Sequence, residues 1–113
     1  MDRTEVKRLL LQRYARMLEA GAPALAMAGG YPLTKELTTE NLTWMCATAL
    51  DGVETLPDDK VQRWIGFVQY GVVLHGLTTV QLERDFTRPL MHAVYAAEGL
   101  AIPPTLNMED EDA

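Results

Sequence analysis

Apolar residues recur along this chain with the spacing of helices, and the breaks in that spacing coincide with capping residues. Over residues 2–20, Val6, Leu9, Leu10, Tyr14, Met17 and Leu18 follow a 3.6-residue period. Asp2 and Glu5 fit a capping box at the start, and Gly21 can supply a left-handed cap at the end. Lys7, Arg8, Arg16 and Glu19 fall on the opposite face, which is expected to be solvated. A second helix starts with Thr38 or Thr39 as its N-cap and ends at Gly52. Its apolar stripe is Leu42, Met45, Cys46, Ala49 and Leu50, with Trp44 off the stripe at an edge or facing a partner. A third opens at Leu56-Pro57-Asp58-Asp59, where proline suits the first helical position and the aspartates suit the positive end of the macrodipole. Val61, Trp64, Ile65, Val68 and Val72 track one face of it, and Gly66 and Gly71 let another backbone approach closely. Gly76 is the expected C-cap, with Leu77 folding back over it. Thr78 and Gln81 form a capping box for a fourth helix, in which Val80 and Phe86 point inward and Leu90, Ala93, Val94 and Ala97 continue the core face to Gly99. Pro89 removes one backbone donor, so this helix kinks, or stops and restarts.

The pattern predicts an all-α fold. Apolar stripes on 2–20, 38–51, 58–75 and 79–98 meet in one core, giving a small bundle of four to five helices with a central helical hairpin formed by the third and fourth or fifth. The connector 21–38, broken by Pro23, Gly29-Gly30 and Pro32, is expected on the surface as a crossover, its alanines able to make one short helical turn. Residues 1–106 are expected to form a single helical domain. Residues 107–113 then form an acidic disordered tail beyond the extended Ile102-Pro103-Pro104. A chain of 113 residues can bury one modest core without staples.

Charge changes this picture in one respect. The net charge is −6, but Glu109–Asp112 hold four of the acids and leave roughly −2 for the rest. Half of the ten Lys and Arg residues lie in the first sixteen positions. An acidic protein is disfavoured on nucleic acid, where phosphate neutralisation dominates affinity. A helix-turn-helix over HGLTTVQLER is disfavoured for the same reason, because Glu83 and Asp85 flank Arg84 on the would-be recognition helix. No apolar run approaches a membrane span, and the charged start MDRTEVKR has no apolar region behind it. A single cysteine, Cys46, fits a reducing compartment, so a cytoplasmic protein is expected.

Candidate chemistry centres on the fourth helix. Arg84, Arg88 and His92 stand at four-residue steps and align on one stripe. Arg63 and Gln69 on the third helix, with Trp64, Phe67 and Tyr70, could face them across the hairpin. Arginine forks recognise phosphate or carboxylate and aromatic faces stack on rings, so Arg63, Trp64, Gln69, Arg84, Arg88 and His92 are the expected ligand- or partner-binding set. The bland alternative is that the arginines form ion pairs with Asp59, Glu83 and Asp85. No catalytic, metal or cofactor site is expected. His and Cys are not clustered, Gly29-Gly30 lacks the Lys-Ser/Thr of a phosphate loop, and adjacent Asp58 and Asp59 diverge on a helix. Cys46, on a buried stripe, reads as an inert core thiol, and His75 as an isolated cation at a helix end.

Residues 56–95 carry the pattern LPxDKxxRWxGFxQ and then ERDxTRPxxHxxY. The pattern resembles small proteins encoded by tailed phages and prophages, over a little over one-third of the chain. The resemblance implies a source and no specific chemistry. Its associational implication is an accessory protein of the host cytoplasm that binds and modulates a host protein without catalysis. The expected form is a homo-oligomer, on the strength of Trp44, Gly66 and surplus aromatics. The alternative is an oligomeric binder of a small anionic ligand such as a nucleotide signal.

Overall fold

The computed structural model describes residues 1–21, the backbone of 27–28 and 31–32, and residues 34–102. Four helices make up the all-α body: Arg3–Ala20 (α1), Thr39–Asp51 (α2), Asp58–Leu74 (α3) and Val80–Ala97 (α4). Between α1 and α2, strands Met27–Ala28 (β1) and Tyr31–Pro32 (β2) pair antiparallel, and a 3-10 turn spans Lys35–Leu37. Of the alanines expected to make a helical turn, Ala28 lies in β1 instead, and Ala24 and Ala26, like the tail at 107–113, lie outside the described residues.

Local capping explains most of the helix ends. Asp2 Oδ1 accepts from the Glu5 amide at 2.8 Å, and Thr38 Oγ1 accepts from the Asn41 amide at 3.2 Å. Gly76, at φ 75°, closes α3 in a Schellman turn, with the Leu77 amide donating to the Val72 carbonyl at 2.9 Å. Three details differ from expectation. Gly21 is extended rather than left-handed, and Pro57 is the N-cap of α3 rather than its first residue. Thr79, not Thr78, caps α4 by accepting from the Leu82 amide at 3.1 Å, because the Thr78 hydroxyl is engaged elsewhere. Through Pro89, α4 runs as one helix.

The packing centre is α1, which touches α2, α3 and α4, whereas α3 and α4 follow one another across residues 75–79 and have little mutual contact. The stretch from Pro57 to Gly99 is therefore arranged around the first helix. Val6, Leu10, Leu11, Tyr14 and Leu18 of α1 meet Leu42, Met45, Cys46 and Ala49 of α2, Val61, Ile65, Val68 and Val72 of α3, and Val94 of α4. Leu11 is fully buried while Leu9 is exposed, so the inward stripe runs Lys7–Leu11–Tyr14–Leu18 beside Val6–Leu10. On α4 the inward line is Glu83–Phe86–Leu90–Val94, which puts Val80 one position off it and leaves that side chain 62% exposed. Ala93 and Ala97 also face outward.

Burying that stripe carries Lys7 into the interior, at 7% exposed. Its ammonium donates to Asp58 at the N-terminus of α3. Arg8 pairs with Glu54 at 3.2 Å, Arg3 with Glu98 at 2.9 Å, and Arg13 with Glu83 at 3.0 Å. The basic side of α1 is thus a charged strap onto the rest of the bundle rather than a plain solvated face. His75 is not isolated either, since its ring Nε2 lies 2.7 Å from the Leu37 carbonyl and fastens the 3-10 turn to the end of α3.

The two α3 glycines have opposite surroundings. A Cβ on Gly71 would lie 2.6 Å from the buried Leu42 side chain, so α2 and α3 approach closely there. A Cβ on Gly66 would meet nothing within 4 Å. Thermal melts should therefore separate them. Gly71→Ala is expected to lose about 1–3 kcal/mol to overpacking, less up to ~1 kcal/mol regained from helix propensity. Gly66→Ala gains that propensity term alone and should melt higher than wild type.

Candidate functional site

Because α3 and α4 each pack on α1, the space between them is left open as a groove of about 440 Å³. One wall is Gly66, Gln69, Tyr70 and Val73 on α3. The other is a second stripe of α4, offset from its inward line, which places Arg84, Thr87, Arg88, Met91, His92 and Tyr95 on one side. Val80 and Ile102 close the two ends.

The floor is a buried ionic network. Glu83, 2% exposed, accepts from Arg13 Nε at 3.1 Å, from Arg13 Nη2 at 3.0 Å and from Thr78 Oγ1 at 2.6 Å. The Arg13 guanidinium also lies over the Phe86 ring at 4.1 Å. Burial by itself raises the Glu83 carboxyl, but hydrogen bonds from Arg13, Thr78 and Tyr14 outweigh it and hold the group below the usual carboxylate value. Tyr14, fully buried, is pushed well above the ordinary phenol value, first by burial and then by the Glu83 charge. Its hydroxyl accepts from Gln69 Nε2 at 2.8 Å.

This network settles the fate of the neighbouring arginines. The Glu83 oxygens are taken by Arg13 and Thr78, and Asp85 accepts from Gln81 at 2.8 Å. Among the described residues, neither Arg84 nor Arg88 has a carboxylate within 4.0 Å. Ion pairing among the described residues does not account for them. Thr87 Oγ1, buried in the same wall, has no hydrogen-bond partner among the described residues. Exposed apolar side chains line the groove beside these groups: Tyr70, Val80 and Ile102 are each more than half exposed.

Of the six residues expected from sequence, Gln69, Arg84, Arg88 and His92 line this groove. Gln69 is partly spent on Tyr14. Arg63 and Trp64 lie outside it. Arg63 is 73% exposed and sits 3.9 Å from Asp59, while Trp64 stacks at 5.6 Å on Trp44 with Lys60 over its ring. Tyr70, expected beside them, also lines the groove; the residues missed were Thr87, Met91, Tyr95, Val80 and Ile102. Their signal was a second helical stripe on α4, legible as Val80–Arg84–Thr87–Met91–Tyr95, which a single-face reading folds into the core. Cys46 is fully buried, and burial pushes its thiol up to about 11, so it is no nucleophile.

Among the described residues, no three His, Cys, Asp or Glu side chains gather as a metal site, and no helix is long and apolar enough to cross a membrane. Compared with protein-family models, curated proteins and solved structures, the chain matches none.

Acid sensitivity follows from the two depressed carboxyls. Asp58 is lowered chiefly by the Lys7 hydrogen bond, and Glu83 as described above. A carboxyl lowered in the folded state stabilises above its unfolded value, and that contribution is lost as pH falls through the folded one. Urea midpoints should hold from pH 7 to about 5 and drop steeply below about 4, near the unfolded carboxyl values. A midpoint still flat at pH 3 would contradict the network.

Proposed function

We propose that this is a non-enzymatic accessory protein of a tailed phage or prophage that acts in the host cytoplasm by binding a host protein, with the α3–α4 groove as its binding surface. The observation that carries this reading is that Arg84 and Arg88, which have no carboxylate partner among the described residues, stand beside a rim of exposed apolar side chains. A buried or half-buried guanidinium without a carboxylate is costly unless water or a partner satisfies it. The complementary partner is a segment that alternates acidic and apolar side chains, laid along the groove as an amphipathic element. The exposed apolar side chains of Tyr70, Val80 and Ile102 along the groove favour a polypeptide with an apolar face. Self-association belongs to the same proposal, through the Trp44–Trp64 pair on the α2–α3 side, where Trp44 is 57% exposed.

One observation favours a second reading. The groove volume is that of a small-ligand site, and the orphan Thr87 hydroxyl would suit a compact anion with a flat ring held between Tyr70 and Tyr95.

Native mass spectrometry of the protein expressed in an infected host separates these readings and reports subunit number. Wild type should retain a host protein. Arg84→Gln with Arg88→Gln should lose it, with binding weaker by at least about tenfold, while the melting temperature stays within a few degrees. A retained small-molecule mass instead would support the second reading. Retention of the host protein by the double variant would overturn the groove as the binding surface.

A further inference from the structure

Hydrogen-bond polarity runs from the buried floor of the groove up to its wall. Glu83 is held ionised, so its oxygens only accept, and they take donors from Arg13, Thr78 and Tyr14. Tyr14 has one hydroxyl proton, and Glu83 takes it. The Tyr14 oxygen can then only accept, which it does from Gln69 Nε2 at 2.8 Å. Turning the Gln69 amide over would set its carbonyl against a hydroxyl whose proton is already given. The buried carboxylate therefore fixes the amide in one orientation, with Nε2 inward and Oε1 left over. Thr87 Oγ1 is the one side-chain polar atom both buried and unpartnered among the described residues. Gln69 Oε1 accepts no bond among them either, so it is open to an occupant of the groove that Gln69 lines.

The two walls differ in chemistry. Tyr70 and Val73 of α3 stand across from Arg84 and Arg88 of α4. An extended strand sends successive side chains to opposite faces and its N–H and C=O groups to its two edges. Laid between the helices, it turns apolar side chains to α3, acidic ones to α4 and one backbone edge to the floor. Spacing agrees, since Arg84 and Arg88 are one helical turn apart, a rise of about 6 Å, and alternate residues of a strand are about 6.6 Å apart. A helix would bring no backbone donor along its length, because its N–H groups are satisfied internally.

We propose that the groove takes the host segment in extended form, with a backbone N–H donating to Gln69 Oε1 and alternate acidic side chains on Arg84 and Arg88. The inference rests on the groove being the binding surface, and adds the conformation it selects and the atom that reads the backbone. Gln69 determines specificity. Tyr14 and Glu83, beneath it, are positioning residues that act through its amide.

Three blocked hexapeptides, titrated into the full chain and followed by NMR shifts, test this. The parent alternates valine with aspartate. One counterpart is N-methylated at every valine and the other at every aspartate, so each loses the donors of one strand edge. The parent should shift the amides of Gly66, Tyr70, Arg84 and Arg88 and the side-chain amide of Gln69. Methylation of one set should weaken binding at least about fivefold and methylation of the other less than about twofold, because only one edge meets the floor. Gln69→Leu should bring the two methylated forms to equal affinity, and Tyr14→Phe, which frees the amide to turn over, should shrink their ratio. Equal effects of the two methylations in wild type would overturn the backbone reading while leaving the groove intact. So would a ratio that survives in Gln69→Leu, and one that survives in Tyr14→Phe would overturn the relay. A parent peptide that shifts none of these groups at millimolar concentration would overturn the extended mode. The groove itself is decided separately, by whether the Arg84→Gln/Arg88→Gln variant retains the host protein.

Discussion

The placement of one carboxylate governs this molecule. Glu83 sits in the first turn of α4 with almost no exposure, and an ionised side chain there is tolerable only because Arg13 and Thr78 bond to it from two other parts of the chain. The consequence is geometric as well as energetic. Arg13 fixes α4 onto α1, and Thr78 fixes the turn that leads into α4. Once α4 is committed to α1, it is no longer free to close against α3. The groove is the space left by that choice.

The same placement divides the basic residues into two populations. Four of the five in α1 are consumed within the fold: Lys7 at the start of α3, Arg8 at Glu54, Arg3 at Glu98 and Arg13 at Glu83. Most of these bridges are exposed enough to stabilise only weakly. Together they specify which helix lies where, a role that pairs of opposite charge fill better than apolar contacts, which are indifferent to orientation. Arg84 and Arg88 belong to the second population. Their sequence neighbours Glu83 and Asp85 point elsewhere or are already bonded, so two cations remain beside Tyr70, Tyr95 and Ile102 on a protein that is acidic overall.

How far the sequence could be read follows from the range of each interaction. The four helices were legible to within a residue or two at each end, because caps, glycines and proline act over three or four positions. The stripe of α3 was legible because Val61, Ile65, Val68 and Val72 leave one choice of face. On α1, Leu9, Leu10 and Leu11 are consecutive, and periodicity alone cannot say which of them turns inward; partners on α2 and α3 decide it. Thr78 and Thr79 pose the same problem, since either hydroxyl could cap α4, and a carboxylate five residues on claims the first. Of the candidate site, Arg84, Arg88 and His92 were legible because they share one helix. The opposing wall was legible only in part, at Gln69 and Tyr70, because it depends on how α3 and α4 are splayed by contacts with α1. That left Arg63 and Trp64 assigned to a face they do not occupy.

A double-mutant cycle between Arg13 and Glu83, read by urea unfolding of wild type, Arg13→Met, Glu83→Gln and the double variant, bears most directly on this account. A partly buried, bidentate pair that orients a whole helix should show a coupling of about 1.5–3 kcal/mol, with the double variant regaining part of what each single change loses. Additive losses, with a coupling within a few tenths of zero, would mean that α4 is held to α1 by apolar contact alone and that Glu83 does not set the groove.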